Sequence, residues 1–186
     1  MTPTGESGRR DDPGSSPPGP AAQHRAAAGL MSVPCAVVTL SDSRSEAEDL
    51  SGRFLRDALA AAGHLLVGYR LIKDEPEALR DAVESLVDEG AQLLLCTGGT
   101  GVGSRDRTIE ALAPLWEQRL PGFGELLRML SFQEVGAAAM LSRADAGIYR
   151  GAAIFALPGS TAAVELAWTR LIQPEIQHLA LLLNRP

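Results

Sequence analysis

The sequence predicts a three-layer α/β sandwich with a mostly parallel central sheet. Three observations predict it. From residue 33 onward, short and wholly apolar runs alternate with amphipathic segments, as when strands are buried on both faces by helices. Glycines stop the first two amphipathic segments, at Gly63 and Gly90. Stretches rich in glycine, hydroxyl and charged residues follow directly after apolar runs, where such a sheet presents its ligand loops.

Taken in order, Val33–Leu40 reads as the first strand, ending in Thr39-Leu40-Ser41-Asp42. A polar loop covers 43–48. Asp49–Ala62 carries Leu50, Phe54, Leu55, Ala58, Leu59 and Ala62 on one helical face. Leu65–Ile72 is a second strand. Pro76 opens a helix with Leu79, Val83 and Leu86 on one face, closed by Gly90. Ala91–Cys96 is a third strand that runs into a glycine-rich loop. Helical patterns follow over Thr108–Leu115 and Gly124–Val135. Ala152–Leu157 is a late strand, and Thr161–Leu183 a single long final helix, with Pro174 as a site for a bend.

The chain has 186 residues and a formal charge of −6, enough for one core without disulfides or structural metals. Residues 1–20 hold five Pro, four Gly and three Ser, so residues 1–30 are expected to be a disordered tail and 31–186 the domain. Three arginines balance three acidic residues in that tail, which leaves the whole −6 on the body. Met31, directly before the first strand, is an alternative translation start. The acidic balance argues against nucleic acid as a partner. No run reaches the length of a membrane helix and no signal-peptide stretch is present, so a cytoplasmic protein is expected. Cys35 and Cys96 lie in apolar runs and read as buried thiols. Three scattered histidines support neither a His/Cys metal cluster nor a His-dependent nucleophile. Sixteen of the seventeen cationic residues are Arg and one is Lys73, between Ile72 and Asp74. A phosphate loop ending in Gly-Lys-Ser/Thr is therefore excluded.

The strongest local signal is Thr97-Gly98-Gly99-Thr100-Gly101-Val102-Gly103-Ser104-Arg105-Asp106-Arg107-Thr108. Its glycines let successive amides approach an anion, with Thr97 and Thr100 as added hydroxyl donors. A tight strand-to-helix turn without a ligand is the plain alternative. Asp106 reads either as a helix N-cap or as a carboxylate for a divalent cation beside phosphates. Asp74, before Glu75-Pro76, carries the same two readings. Ser41-Asp42-Ser43-Arg44 offers polar ligand groups or an Asx-turn. Pro158-Gly159-Ser160-Thr161 offers a second amide cradle or a simple cap. Glu125, Arg128, Ser142 and Arg143 read as surface or salt-bridging positions. Phosphate nests, arginines and two carboxylates at one sheet edge suit phosphoryl or nucleotidyl transfer.

Together these motifs resemble the MoaB/MogA molybdopterin-binding family. The resemblance runs from about Val33 to Pro174. Its markers are Thr39-Leu40-Ser41-Asp42, Ser51-Gly52, Thr97–Gly101, Gly122-Phe123-Gly124-Glu125, Arg128-Met129-Leu130-Ser131 and Leu157–Ser160. Arg128–Phe132, Ser142-Arg143 and the Pro-Gly-Ser-Thr ending are closer to the MoaB branch. The resemblance implies the fold of a molybdopterin-binding domain, assembled as a homotrimer or homohexamer. It implies molybdopterin and ATP as partners, with Mg²⁺ as cofactor, in an adenylylation that releases pyrophosphate. It makes Asp74 and Asp106 the expected catalytic and metal-holding residues; some MoaB-branch chains depart at these segments, and this one keeps both. The expected substrate-binding set is Thr39, Ser41, Asp42, Arg44, Thr97, Gly98, Gly99, Thr100, Gly101, Arg105, Ser131, Pro158, Gly159 and Ser160. A pterin-binding or assembly protein without catalysis is the alternative of a different class, and a generic nucleotide-binding domain is a third.

Overall fold

The computed structural model describes residues 31–184, so the expectations for the tail at 1–30 lie outside the described residues. Six strands form one sheet: β1 (Pro34–Leu40), β2 (Leu65–Ile72), β3 (Leu93–Thr97), β4 (Gln118–Arg119), β5 (Asp145–Tyr149) and β6 (Ala152–Leu157), in the order β2-β1-β3-β6-β5-β4. Strands β2, β1, β3 and β6 run parallel; β5 is antiparallel to both β6 and β4. The helices are α1 (Leu50–Ala61), α2 (Pro76–Asp88), α3 (Thr108–Leu112), α4 (Pro121–Val135), α5 (Thr161–Ala167) and α6 (Ile176–Leu183). Among the described residues, no helix is long and apolar enough to cross a membrane.

The continuous apolar runs sort by strand alternation into two cores. Cys35, Val37, Leu93, Leu95 and Phe155 face α1, α4, α5 and α6. Ala36, Val38, Leu94, Cys96 and Ile154 face α2 and α3. Both faces of the sheet are covered, which is why these strands could be wholly apolar. The two cysteines are free and buried, and burial pushes both thiols up to about 12.

Several elements differ from the sequence expectation. The long final helix is three pieces, because the chain widens into a π-turn at Trp168–Ile172 and breaks before α6. α3 ends at Leu112 rather than Leu115, and α4 begins at Pro121, where proline fits the first turn. Asp49 is the cap of α1 rather than its first residue, accepting from the Gly52 amide at 2.9 Å. Strands β4 and β5 are not legible in the sequence. The β5–β6 connection is the two-residue turn Arg150-Gly151, both at positive φ (48° and 76°), the geometry that continues strand twist.

This topology fixes one edge of the sheet as the place for chemistry. The chain moves from β1 outward to β2, then crosses back past β1 to β3, so the loops after β1 and β3 diverge and leave a crevice. Because β5 runs the other way, the segment that enters it also arrives at this edge.

Candidate functional site

Asp42, Asp74, Arg105 and Asp106 converge at the crevice. Arg105 Nη2 lies 2.7 Å from Asp42 Oδ2 and 3.6 Å from Glu75 Oε1. Asp42 Oδ1 accepts the Asp74 amide at 3.2 Å, joining the loops after β1 and β2. Neither Asp74 nor Asp106 caps a helix: Glu75 and Arg107 occupy the N-cap positions of α2 and α3, without side-chain caps. Asp106 Oδ2 instead accepts the Gly103 amide at 2.8 Å, folding the loop back on itself. Asp74 Oδ1 is buried and has no hydrogen-bond partner among the described residues. Burial first, then the Asp42 carboxylate and a smaller push from Asp106, raise the Asp74 carboxyl above its ordinary value; Arg105 pulls it down. A buried carboxyl oxygen with no donor, flanked by acidic neighbours, can be satisfied by a proton or by a cation.

The glycine loop lies between this crevice and β6. Gly98 has φ +110°, and a Cβ there would meet the Leu40 carbonyl oxygen at 2.5 Å, so only glycine allows the turn. The Gly98 amide is already used, donating to Leu157 O at 3.1 Å. The amides of Gly99, Thr100 and Gly101 donate to no other described residue, which leaves three adjacent donors for an anion. Thr108 Oγ1 donates to Gly98 O at 2.8 Å and ties α3 to the loop.

The threonine hydroxyls point into the protein. Thr97 is 1% exposed and donates to Pro158 O at 2.7 Å; Thr100 donates to Leu157 O at 3.5 Å. Thr39 is buried, with Oγ1 unpartnered beneath Gly52. Thr97 and Thr100 therefore tie β3 and the start of the glycine loop to the end of β6 and the 158–161 loop, while Thr39 makes no such bond. Ser41 Oγ accepts from the amides of Ser43 and Arg44, which replaces the expected Asx-turn. Arg44 is exposed and forms no ion pair with another described residue. Ser160 stands at the N-cap of α5 but makes no cap bond, so its hydroxyl is available. It shares a depression of about 190 Å³ with Ser131, Ser142 and Pro158. A polar cleft of about 360 Å³ opens on the outer side of the loop, lined by Val102, Gly103, Asp106, Arg107, Glu110 and Arg143.

Residues 36–178 match the family described as a probable molybdopterin binding domain. The chain belongs to this family. Molybdenum cofactor biosynthesis protein B of Bacillus subtilis is 46% identical over 149 residues, covering 79% of this chain and 88% of that one. The protein of the same name in Escherichia coli K12 is 42% identical over 142 residues, covering 76% and 84%. A crystal structure of molybdenum cofactor biosynthesis protein B is similar at TM-score 0.81 and 42% identity, covering 84% of this chain and 98% of that one. A structure described as the tungsten cofactor synthesizing protein MoaB from Pyrococcus furiosus is similar at TM-score 0.76 and 34% identity, covering 83% and 98%. A MogA structure at 24% identity shares the fold, with TM-score 0.73.

Within this molybdopterin-binding domain, two residues at the site are not apparent from sequence. Arg143 has the spacing of a surface position, yet its Nε donates to Gly101 O at 2.7 Å, and its other nitrogens reach Asp106 O and Glu110 Oε1. Its hydrogen bond to Glu110 holds that carboxyl below its ordinary value. Ser51, a marker without an assigned role, bonds to Gly159 O and to the Thr161 hydroxyl, both at 3.2 Å, and anchors the 158–161 loop on α1. The antiparallel course of β5 is the missing signal for Arg143, since the rule for parallel sheets points only to loops at the carboxyl ends of strands.

Proposed function

We propose that the protein acts in molybdenum cofactor biosynthesis by adenylylating molybdopterin with Mg-ATP. The observation that carries this reading is Asp74: a buried carboxylate oxygen without a donor, beside Asp42, Asp106 and Arg105, next to a glycine loop with three unused amides. Family membership supports the pterin as substrate.

The residues fit a magnesium ion that arrives with a nucleotide. Among the described residues no three His, Cys, Asp or Glu side chains form a closed cage. Mg²⁺ takes one or two carboxylates and fills its other positions with phosphate oxygens and water. Asp74 and Asp106 would hold it; bound there, it would offset charge on the ATP phosphates. The amides of Gly99–Gly101, with Pro158–Ser160 and Ser131, would bind the pterin and its terminal phosphate. An oxygen of that phosphate attacks the α-phosphorus of ATP. The new P–O bond forms as the bond to the bridging oxygen breaks, and pyrophosphate leaves with the electron pair. Arg105, held over the crevice by Asp42 and Glu75, offsets the charge that develops; Arg44, exposed in the loop after β1, is the alternative for this role.

Self-association belongs to the same proposal. Leu126, Met129, Phe132, Val135, Met140 and Leu141 are exposed on α4 and the turn that follows it, a surface suited to a second and third copy of the chain.

The decisive assay combines molybdopterin, Mg²⁺ and α-labelled ATP. Transfer of label to the pterin with release of pyrophosphate is the expected outcome. Asp74→Asn and Asp106→Asn should each lower turnover by about a hundredfold or more while the fold melts cooperatively. Pterin binding without ATP consumption would select the non-catalytic binding protein instead; ATP affinity without pterin affinity would select a generic nucleotide-binding domain.

A further inference from the structure

The glycine loop is held unevenly. On its inner side, Thr97, Thr100 and Thr108 tie it or its neighbours to the sheet. On its outer side, one side chain takes two carbonyls five residues apart: Arg143 donates to Gly101 O and Asp106 O, and its backbone amide donates to Thr100 O at 2.9 Å. Glu110, on α3, pairs with the remaining guanidinium nitrogen and sets the plane of the group. Four glycines between 98 and 103 give this segment high conformational entropy, so its order depends on such anchors.

We propose that Arg143 is a positioning residue that fixes the glycine loop from outside and thereby aims the Asp106 carboxylate; the inference rests on the adenylylation reading. The contact is made to the Asp106 carbonyl and not to its carboxylate, which leaves Oδ1 without a protein partner and free for the reaction. Only a planar fork serves here. A guanidinium reaches Gly101 O, Asp106 O and Glu110 Oε1 from three nitrogens at fixed angles; an ammonium at one point cannot span them. Glu110 also places the clamp on α3, so that the loop is gripped between α3 and the entry to β5.

Two measurements test it, on Arg143→Ala, Arg143→Lys and Glu110→Gln. Hydrogen–deuterium exchange needs no activity. Exchange of the hydrogen-bonded amides of Gly103, Asp106 and Thr108 should accelerate about tenfold to a hundredfold in both Arg143 variants, as expected for loss of charge-assisted bonds, with β3 and β6 unchanged. Glu110→Gln should give a smaller acceleration at the same amides. In the adenylylation assay, kcat should fall by a similar factor in the Arg143 variants, while KM for molybdopterin changes less than about threefold. Added guanidinium ion should restore part of kcat to Arg143→Ala and none to Asp106→Asn. Unchanged exchange at Gly103, Asp106 and Thr108, or an Arg143→Lys protein that matches wild type, overturns the proposal. Absence of turnover in the wild type overturns the adenylylation reading alone, because the exchange experiment still decides the role of Arg143. Should Arg143→Ala fail to fold, Arg143→Lys keeps the charge and carries the test.

Discussion

Asp49 sits at the centre of a buried polar group beneath the site. Its Oδ1 caps α1 through the Gly52 amide, and its Oδ2 accepts the Tyr69 hydroxyl at 2.8 Å. The Arg56 guanidinium lies 4.2 Å above the Tyr69 ring. Burial and the bond to Asp49 push the Tyr69 phenol up to about 12. Asp49→Ala removes a cap and strands a phenol, losses of about 1 and 1–3 kcal/mol, so urea unfolding should show about 2–4 kcal/mol less stability. His64 supplies a pH signature. Burial lowers its pKa, and its Nδ1 accepts the Val33 amide at 3.3 Å, which requires the neutral ring. Above the unfolded value of about 6.5 this contributes fully; as pH falls through it, the unfolded chain takes up the proton first and stability drops. Unfolding free energy should therefore rise as pH climbs toward and through about 6.5, and His64→Gln should flatten that rise. At this scale the sequence discloses carboxylates better than hydroxyls. Asp42 and Asp74 stand two residues past apolar strands and Asp106 closes the glycine loop, places where a carboxylate reaches the sheet edge. Thr97 and Thr100 carry hydroxyls small enough to turn inward and meet a carbonyl, Thr39 turns inward without a partner, and nothing in their spacing shows which way they turn.

The β5–β6 hairpin is the element that shapes the site most and is least legible. Asp145-Ala146-Gly147-Ile148-Tyr149 carries several poor strand formers. Its turn uses Arg150-Gly151 in place of the Asn-Gly pair that marks such hairpins. Arg150 at φ 48° bears a backbone strain of about 1–2 kcal/mol. Against this stands an exposed ion pair with Asp88 at 2.7 Å, which solvent screens. The strain outweighs the ion pair, so Arg150→Asn should raise the melting temperature by a few degrees in a calorimetric scan. By contrast, α1 and α2 are legible almost to the residue, because Gly63, Pro76 and Gly90 punctuate a clean helical period. The final helix misleads for the opposite reason: its apolar residues continue through the π-turn at Trp168–Ile172, and periodicity does not register one wide turn.

At the scale of the molecule, the layered class is legible from alternating apolar runs, and strand order is not, since buried strands carry no label for their neighbours. Surface and core are equally hard to separate on α4, where Phe132 is 62% exposed and Met140, just beyond it, 77% exposed. Phe132→Glu with Met129→Glu should convert an assembled protein to monomers in sedimentation, with α4 itself intact. Lys73 offers a different use of the whole chain. It is exposed, and it is the one lysine of the sequence. A lysine-directed protease therefore has a single bond to cut, between Lys73 and Asp74, yielding fragments 1–73 and 74–186. Nicking at that bond becomes a clock for occupancy of the crevice, slowed by whatever ligand comes to rest against Asp74.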